Sequence, residues 1–266
     1  MIRSAARAFP TLLRVGFAAA VAYRAEFLIW ILTTNMSLVM LALWNAVARE
    51  APVGQYGQKE FVAYFLTVLV VRLLTSSWVV WEMNYELRQG LLAFRMLRPV
   101  HPMVHYAAEN LAALPVRALF ALPIAAVSLW AMGPEQVSHD PALVAMFVAS
   151  VLLAWLINFL AMAIIAVAGF WVDSSLSMFQ VWFGVYMLLS GYLLPLPLLP
   201  GWLLAAARWL PFRYMLSLPV EVLLGQHDRL GALAQLSAQA AWAAVLFAAL
   251  GLAWRAGVHR FNAYGG

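Results

Sequence analysis

The chain of 266 residues contains no cysteine, a single lysine, and only 10% charged residues against 65% hydrophobic ones. Without cysteine there are no disulfides, thiolate metal sites or cysteine nucleophiles. The shortage of charge excludes more. Soluble domains carry about a quarter charged residues, and a soluble fold of this size has no means of hiding so large an apolar surplus. A soluble enzyme, a secreted scaffold and a disordered chain are all excluded. The net charge of +5, from 16 basic and 11 acidic residues, is too sparse and scattered for a nucleic-acid surface, so no nucleic-acid partner is expected.

Catalytic motifs are missing as well. The lone Lys59 sits in Gly57-Gln-Lys-Glu60, so no phosphate-binding GxxxxGK[ST] loop exists and ATP is not bound that way. No HExxH helix or EF-hand loop appears, and His101, His105, His139, His227 and His259 are dispersed; no metal site is expected. Ser190-Gly191 lacks both the GxSxG setting and an intramembrane histidine. The long apolar runs hold no acid beyond their ends, which argues against an ion-driven carrier.

What the chain has is length of apolar sequence. A bilayer core of about 30 Å needs roughly 20 residues per helix. Six stretches qualify: 26–48, 60–81, 111–132, 142–168, 176–195 and 233–254. The expected fold is all-α, a single membrane domain over 1–266 with six transmembrane helices. Six spans put both termini on one side. If that side is cytoplasmic, nine arginines lie inside and five basic residues outside, the bias of the positive-inside rule.

Three segments outside the spans carry more information. In residues 1–25, Arg3, Arg7 and Arg14 fall within about 40° on a helical wheel, with Phe9, Leu12, Leu13 and Phe17 on another face. This reads as a helix lying in the membrane surface, kinked or restarted at Pro10, or else as a basic tail that only fixes topology. In residues 82–102, Gly90 breaks the helix leaving span two and Pro99 stops the short helix that follows. There Leu92 and Met96 share one face, and Arg95 and Arg98 another. An apolar ridge with paired arginines suits docking on a soluble partner; packing on the chain's own helices is the other reading. In residues 196–232, with the stretch leading into it, Pro195, Pro197, Pro200, Pro211 and Pro219 forbid a continuous span. Two short re-entrant helices near 201–210 and 213–224 are expected at the outer surface, with Trp202, Trp209 and Tyr214 in the interfacial belt.

Inside the spans, Asn35 and Arg72 lie nine residues, and Asn158 ten, from the cytoplasmic boundaries, all about 14–15 Å deep. The depth predicts a polar layer in which Asn35 and Asn158 carbonyls accept from Arg72. Its role is either interhelical glue or a substrate path. Arg117, nearer the surface, is expected to snorkel.

Three strings, in order, resemble one family. They are Ala22-Tyr-Arg-Ala-Glu-Phe-Leu-Ile-Trp30; Ser77-Trp-Val-Val-Trp-Glu82 leading into Leu87-Arg-Gln-Gly-Leu-Leu-Ala-Phe-Arg-Met-Leu-Arg-Pro-Val-His-Pro102; and Ser190-Gly-Tyr-Leu-Leu-Pro-Leu-Pro-Leu-Leu-Pro-Gly-Trp202 with Leu210-Pro-Phe-Arg-Tyr214. Together they resemble the permease subunits of ABC transporters of the type-2 (export) class, especially a bacterial branch of single-domain, six-span permeases. Glu86, Gly90, Leu91 and Pro99 stand at the corresponding places of the cytoplasmic segment.

The resemblance implies a transport subunit rather than an enzyme, in the bacterial inner membrane with both termini cytoplasmic. A separate ABC ATPase would bind ATP and Mg and grip a coupling helix marked by Glu86, Arg88, Gly90, Leu91, Leu92, Phe94, Arg95, Met96, Arg98 and Pro99. A second permease, identical or paralogous, would complete the pathway. The N-terminal helix would be the connecting helix, and Pro195, Pro200, Trp202, Pro211 and Phe212 would mark an outer re-entrant gate. The coupling stretch departs from the family in having no acid after Glu86, so an acidic groove on the ATPase is expected to receive Arg95 and Arg98. A channel-like or anchoring subunit without ATP coupling, or a polytopic membrane enzyme, are the alternatives.

Overall fold

A computed structural model describes residues 2–22, 36–172 and 174–261, and among them the regular elements are helices, with one isolated antiparallel bridge between Val53 and Tyr56. The all-α expectation holds. Helix α1 is Ile2–Ala22, α2 Met36–Glu50, α3 Gln58–Thr75, α4 Val79–Arg88, α5 Leu91–Met96, α6 Pro102–Ala112 and α7 Leu114–Met132. Then follow α8 Pro141–Val167, α9 Ser175–Leu189, α10 Gly201–Trp209, α11 Phe212–Met215, α12 Ser217–Leu223 and α13 Arg229–Val258.

Four helical stretches are long and apolar enough to cross a membrane: Gln58–Arg88, Pro102–Trp130, Pro141–Phe170 and Arg229–Val258. The expected span 176–195 falls short of that length. Helix α9 stops at Leu189 and the chain turns at Gly191, whose φ of 87° suits glycine. Of the first expected span, only the part from Met36 onward lies within the described residues.

Helix α8 is the spine. Asp140 caps it by accepting from the Ala142 N–H at 3.0 Å, and Pro141 occupies its first turn. Its buried Ala154, Ala161, Ala163 and Ala166 leave room for neighbours, and α13, α12, α4 and α3 all pack on it. Two apolar clusters surround it. One, at the re-entrant end, gathers Phe61, Tyr64, Tyr186, Met215 and Leu218. The other, where α4, α5 and α6 meet α8, gathers Val79, Met83, Leu92, Tyr106 and Phe159.

The expected second span is built in two pieces. Helix α3 ends at Thr75, Ser76 is extended (φ −63°, ψ 147°), and α4 begins at Val79. The polar groups freed by the break find partners on the neighbouring strand of helix: the Asn110 carbonyl accepts from Ser77 Oγ at 3.0 Å and from the Trp78 N–H at 3.3 Å, and the Arg117 guanidinium donates to the Ser76 carbonyl. Arg117 therefore does not snorkel. It is fully buried, with its guanidinium 4.5 Å from the centre of the Trp78 ring.

Helix α1 continues through Pro10 and does not restart there. Pro10 is exposed, so the hydrogen bond it removes is lost on an open face. The helix is seated farther along, where Gly16 crosses α6. A Cβ on Gly16 would stand 2.8 Å from Ala112 Cβ, closer than side chains tolerate.

Candidate coupling elbow and polar clusters

Helix α4 leaves the bundle with Glu82 and Glu86 one turn apart, so both carboxylates lie on one face. The chain reverses at Gly90, whose φ of 71° is a left-handed conformation that other residues adopt only with strain. The short α5 that follows is folded back so that Arg95 meets those two acids and a third, Glu109, from α6. The distances are 2.5 Å to Glu86, 3.3 Å to Glu82 and 3.0 Å to Glu109. Tyr106 lies under the guanidinium at 4.4 Å and donates its hydroxyl to Glu86 at 2.6 Å. Burial alone would weaken the charge on Arg95, but Glu109 and Glu86 outweigh it and raise the guanidinium pKa above its ordinary value.

This arrangement corrects the expected docking face. Arg95 points inward to its three acids and is not available to an acidic groove. Leu92, expected on the docking ridge, is fully buried in the elbow cluster, and Met96 is partly buried against it. The residues facing outward are Leu91, Phe94 and Leu97, exposed by 42%, 67% and 84%. They recur at i, i+3 and i+6, a continuous apolar ridge, with Arg98 and Pro99 exposed just beyond and Arg88 exposed at the end of α4. The short helix expected between Gly90 and Pro99 forms over Leu91–Met96, and its outward face is Leu91, Phe94 and Leu97 rather than Leu92 and Met96.

The expected polar layer is not formed in the way the depths implied. Asn35 lies outside the described residues. Asn158 uses its amide to donate to the Ala154 carbonyl at 3.0 Å and the Met215 carbonyl at 3.2 Å, tying α8 to α11. Arg72 turns instead to aromatic rings. Its guanidinium lies 4.6, 5.6 and 5.9 Å from the centres of Tyr192, Tyr186 and Phe183, and donates to the Tyr186 hydroxyl at 3.4 Å. An amide offers one acceptor, whereas α9 and the turn beyond it offer three ring faces and a hydroxyl.

After the proline-rich stretch the two expected short helices form close to their expected places, the second divided into α11 and α12. Pro195 and Pro200 stand immediately before the 3-10 turn 196–198 and α10, and Pro211 before α11. Trp202 is exposed and Phe212 buried, packing on Trp182 with ring centres 6.1 Å apart. Beneath them lies a cluster that the sequence reading missed. Buried Glu221 accepts from Ser217 at 2.5 Å and Arg213 at 2.7 Å, and pairs with His227 at 2.9 Å. Burial opposes its charge, but His227, Arg213 and Ser217 prevail and hold the carboxyl below the usual range. The signal available was the spacing: Arg213, Ser217 and Glu221 recur every four residues.

No curated protein and no solved structure matches this chain. A family model described as ABC-2 family transporter protein matches residues 28–265, which contain the elbow, the spine and the re-entrant region. The chain belongs to the ABC-2 family of transporter membrane proteins.

Proposed function

We infer that the chain is the permease subunit of an ATP-driven exporter, served by a separate ATPase that binds ATP and Mg and seats on Leu91, Phe94 and Leu97. The outward apolar ridge on a helix fixed from behind by Arg95 is the observation that carries this reading. Docking through such a ridge needs no charge from this chain, so the acidic groove expected on the ATPase is not required by Arg95. Two permeases, identical or paralogous, form the pathway between them. The exposed Val245 and Leu252, seven residues apart on one side of α13, supply an apolar face for lipid or for that second copy.

The mechanism follows from the joints. Closure of the ATPase pair displaces α5. Because Arg95 is bonded to acids on both α4 and α6, the displacement passes to two helices at once. Helix α4 continues into α3 across the Ser76–Trp78 break, which carries the motion to the level of Arg72. The arginine-rich segments 1–25 and 82–102 belong on the cytoplasmic face of the inner membrane in this reading, and the re-entrant helices form the outer gate.

Co-expression with the cognate ATPase tests it. Phe94→Asp with Leu97→Asp is expected to abolish co-purification of the ATPase while leaving the permease folded. Arg95→Gln is expected to keep co-purification but lose transport-coupled ATP hydrolysis. Undiminished co-purification of the ridge variant sinks the proposal.

A further inference from the structure

A groove of about 560 Å³ lies between the segment carrying α10 and α11 and the first half of α13. The coupling reading does not use it. Its size suits a lipid headgroup with the start of its chains. Helical spacing builds one wall: Gln235, Ala238, Trp242 and Val245 of α13 stand at i, i+3, i+7 and i+10, on one face. Along the axis Gln235 is about 9 Å from Arg229, where the helix begins, and Val245 about 24 Å. Helix α13 is long and apolar enough to cross a membrane. This wall therefore passes from a polar residue near one membrane surface to apolar residues deeper in.

The groove also carries an unbalanced cation. Arg208 lines it, is exposed, and makes no ion pair or hydrogen bond with any described residue. Arg213 lines it too, but Glu221 at 2.7 Å already matches that charge. Among the described residues no acid lines the groove. Trp209, next to Arg208 and exposed, adds an indole of the kind that sits at the headgroup level of a bilayer. A cation beside apolar surface attracts an anion more strongly than one in bulk water. A two-fold contact centred here would set the Arg208 of each copy against the other, like charge against like.

We propose that this groove binds an anionic phospholipid, its phosphate on Arg208, its headgroup towards Gln235 and its chains along Ala238, Trp242 and Val245. All the groups invoked are open to the groove, and the charge they present is a single positive one. A zwitterionic headgroup brings its own cation towards Arg208 and gains less. The proposal goes beyond the transport reading and does not depend on an ATPase.

The test is a titration of the purified chain in detergent with dioleoyl phosphatidylglycerol, phosphatidylethanolamine and phosphatidylcholine, counting retained lipid by native mass spectrometry. Phosphatidylglycerol is expected to be retained about fivefold more tightly than either zwitterion, the scale of one partly solvated charge pair. Arg208→Gln should remove that preference, whereas Arg260→Gln, exposed at the other end of α13, should keep it. Ala238→Trp, which fills the apolar wall, should weaken retention of phosphatidylglycerol in a chain that still has Arg208. Equal retention of the three lipids by the unaltered chain overturns the proposal, and so does a preference that survives Arg208→Gln. Displacement by inorganic phosphate at equal concentration would identify a site for a free anion and overturn the lipid assignment. Lipid held by the monomer but absent from dimer peaks would mean that a second copy fills the groove, which overturns it as well.

Discussion

The two ends of the molecule solve the same problem with opposite charges. At the elbow a half-buried arginine is surrounded by three acids, and at the proline-rich end a buried acid is surrounded by an arginine, a histidine and a serine. The difference lies in what each cluster joins. Glu221, Arg213, Ser217 and His227 all fall within one short stretch of chain, so their bonds close a local loop. Arg95, Glu82, Glu86 and Glu109 come from three separate helices, so their bonds fix those helices against one another. A local clamp preserves its own shape. A joint between helices transmits the movement of any one of them.

The largest separation between the two ends is expected from breaking the elbow joint. Arg95→Ala strands three carboxylates in a mostly buried site, and removal of one partner from such a set costs about 3–5 kcal/mol. Thermal melting of the purified chain should show it as a large fall in Tm. Leu92→Ala, in the same elbow but apolar, should cost about 2–5 kcal/mol through the cavity it leaves. A loss much smaller for Leu92→Ala than for Phe94→Ala would mean that α5 presents the opposite face from the one described.

Gly90→Ala is expected to have a smaller effect, about 1–2 kcal/mol, because the left-handed φ must be adopted by a residue with a Cβ. Open space surrounds that position, so the cost comes from the backbone and not from a clash. The re-entrant clamp is best probed by pH. The Glu221 carboxyl is held below its unfolded value of about 4.3, so its contribution is fully present above that pH and is lost as pH falls through the folded value. Melting of the unaltered chain and of Glu221→Gln should therefore differ at neutral pH and converge as the pH falls through the depressed folded value. The smallest effect belongs to the exposed pair of Asp140 and Arg229, bonded at 2.6 and 2.8 Å. Arg229→Gln should leave Tm unchanged within error, since solvent-exposed ion pairs contribute little.

Hydropathy made the long apolar helices legible, and proline spacing made the short helices between 201 and 223 legible, because both signals are local. The orientation of α5 was not legible for a physical reason. Its two turns are apolar on more than one face, so periodicity alone does not select which face is buried. The inference that arginines face solvent then chose the wrong one, because the acids that draw Arg95 inward lie on α4 and α6. Arg117 was misread in the same way: its acceptor is a carbonyl 41 residues earlier, exposed only because α3 ends at Thr75. Arg72 and Asn158 are placed at one depth by counting from the expected span ends, but each finds nearer partners on a segment that such counting does not register.

The break at Ser76–Trp78 has a mechanical meaning. A continuous helix resists bending along its whole length, but two rods meeting at a short extended link have a preferred place to pivot. Here the pivot is held by a side chain from α7, since Arg117 grips the carbonyl of Ser76 and rests on the ring of Trp78. Any swing of α4 relative to α3 must drag that guanidinium with it or release it. While that grip holds, α7 and the pivot are tied through one guanidinium, like a crank whose pin is mounted on the neighbouring rod.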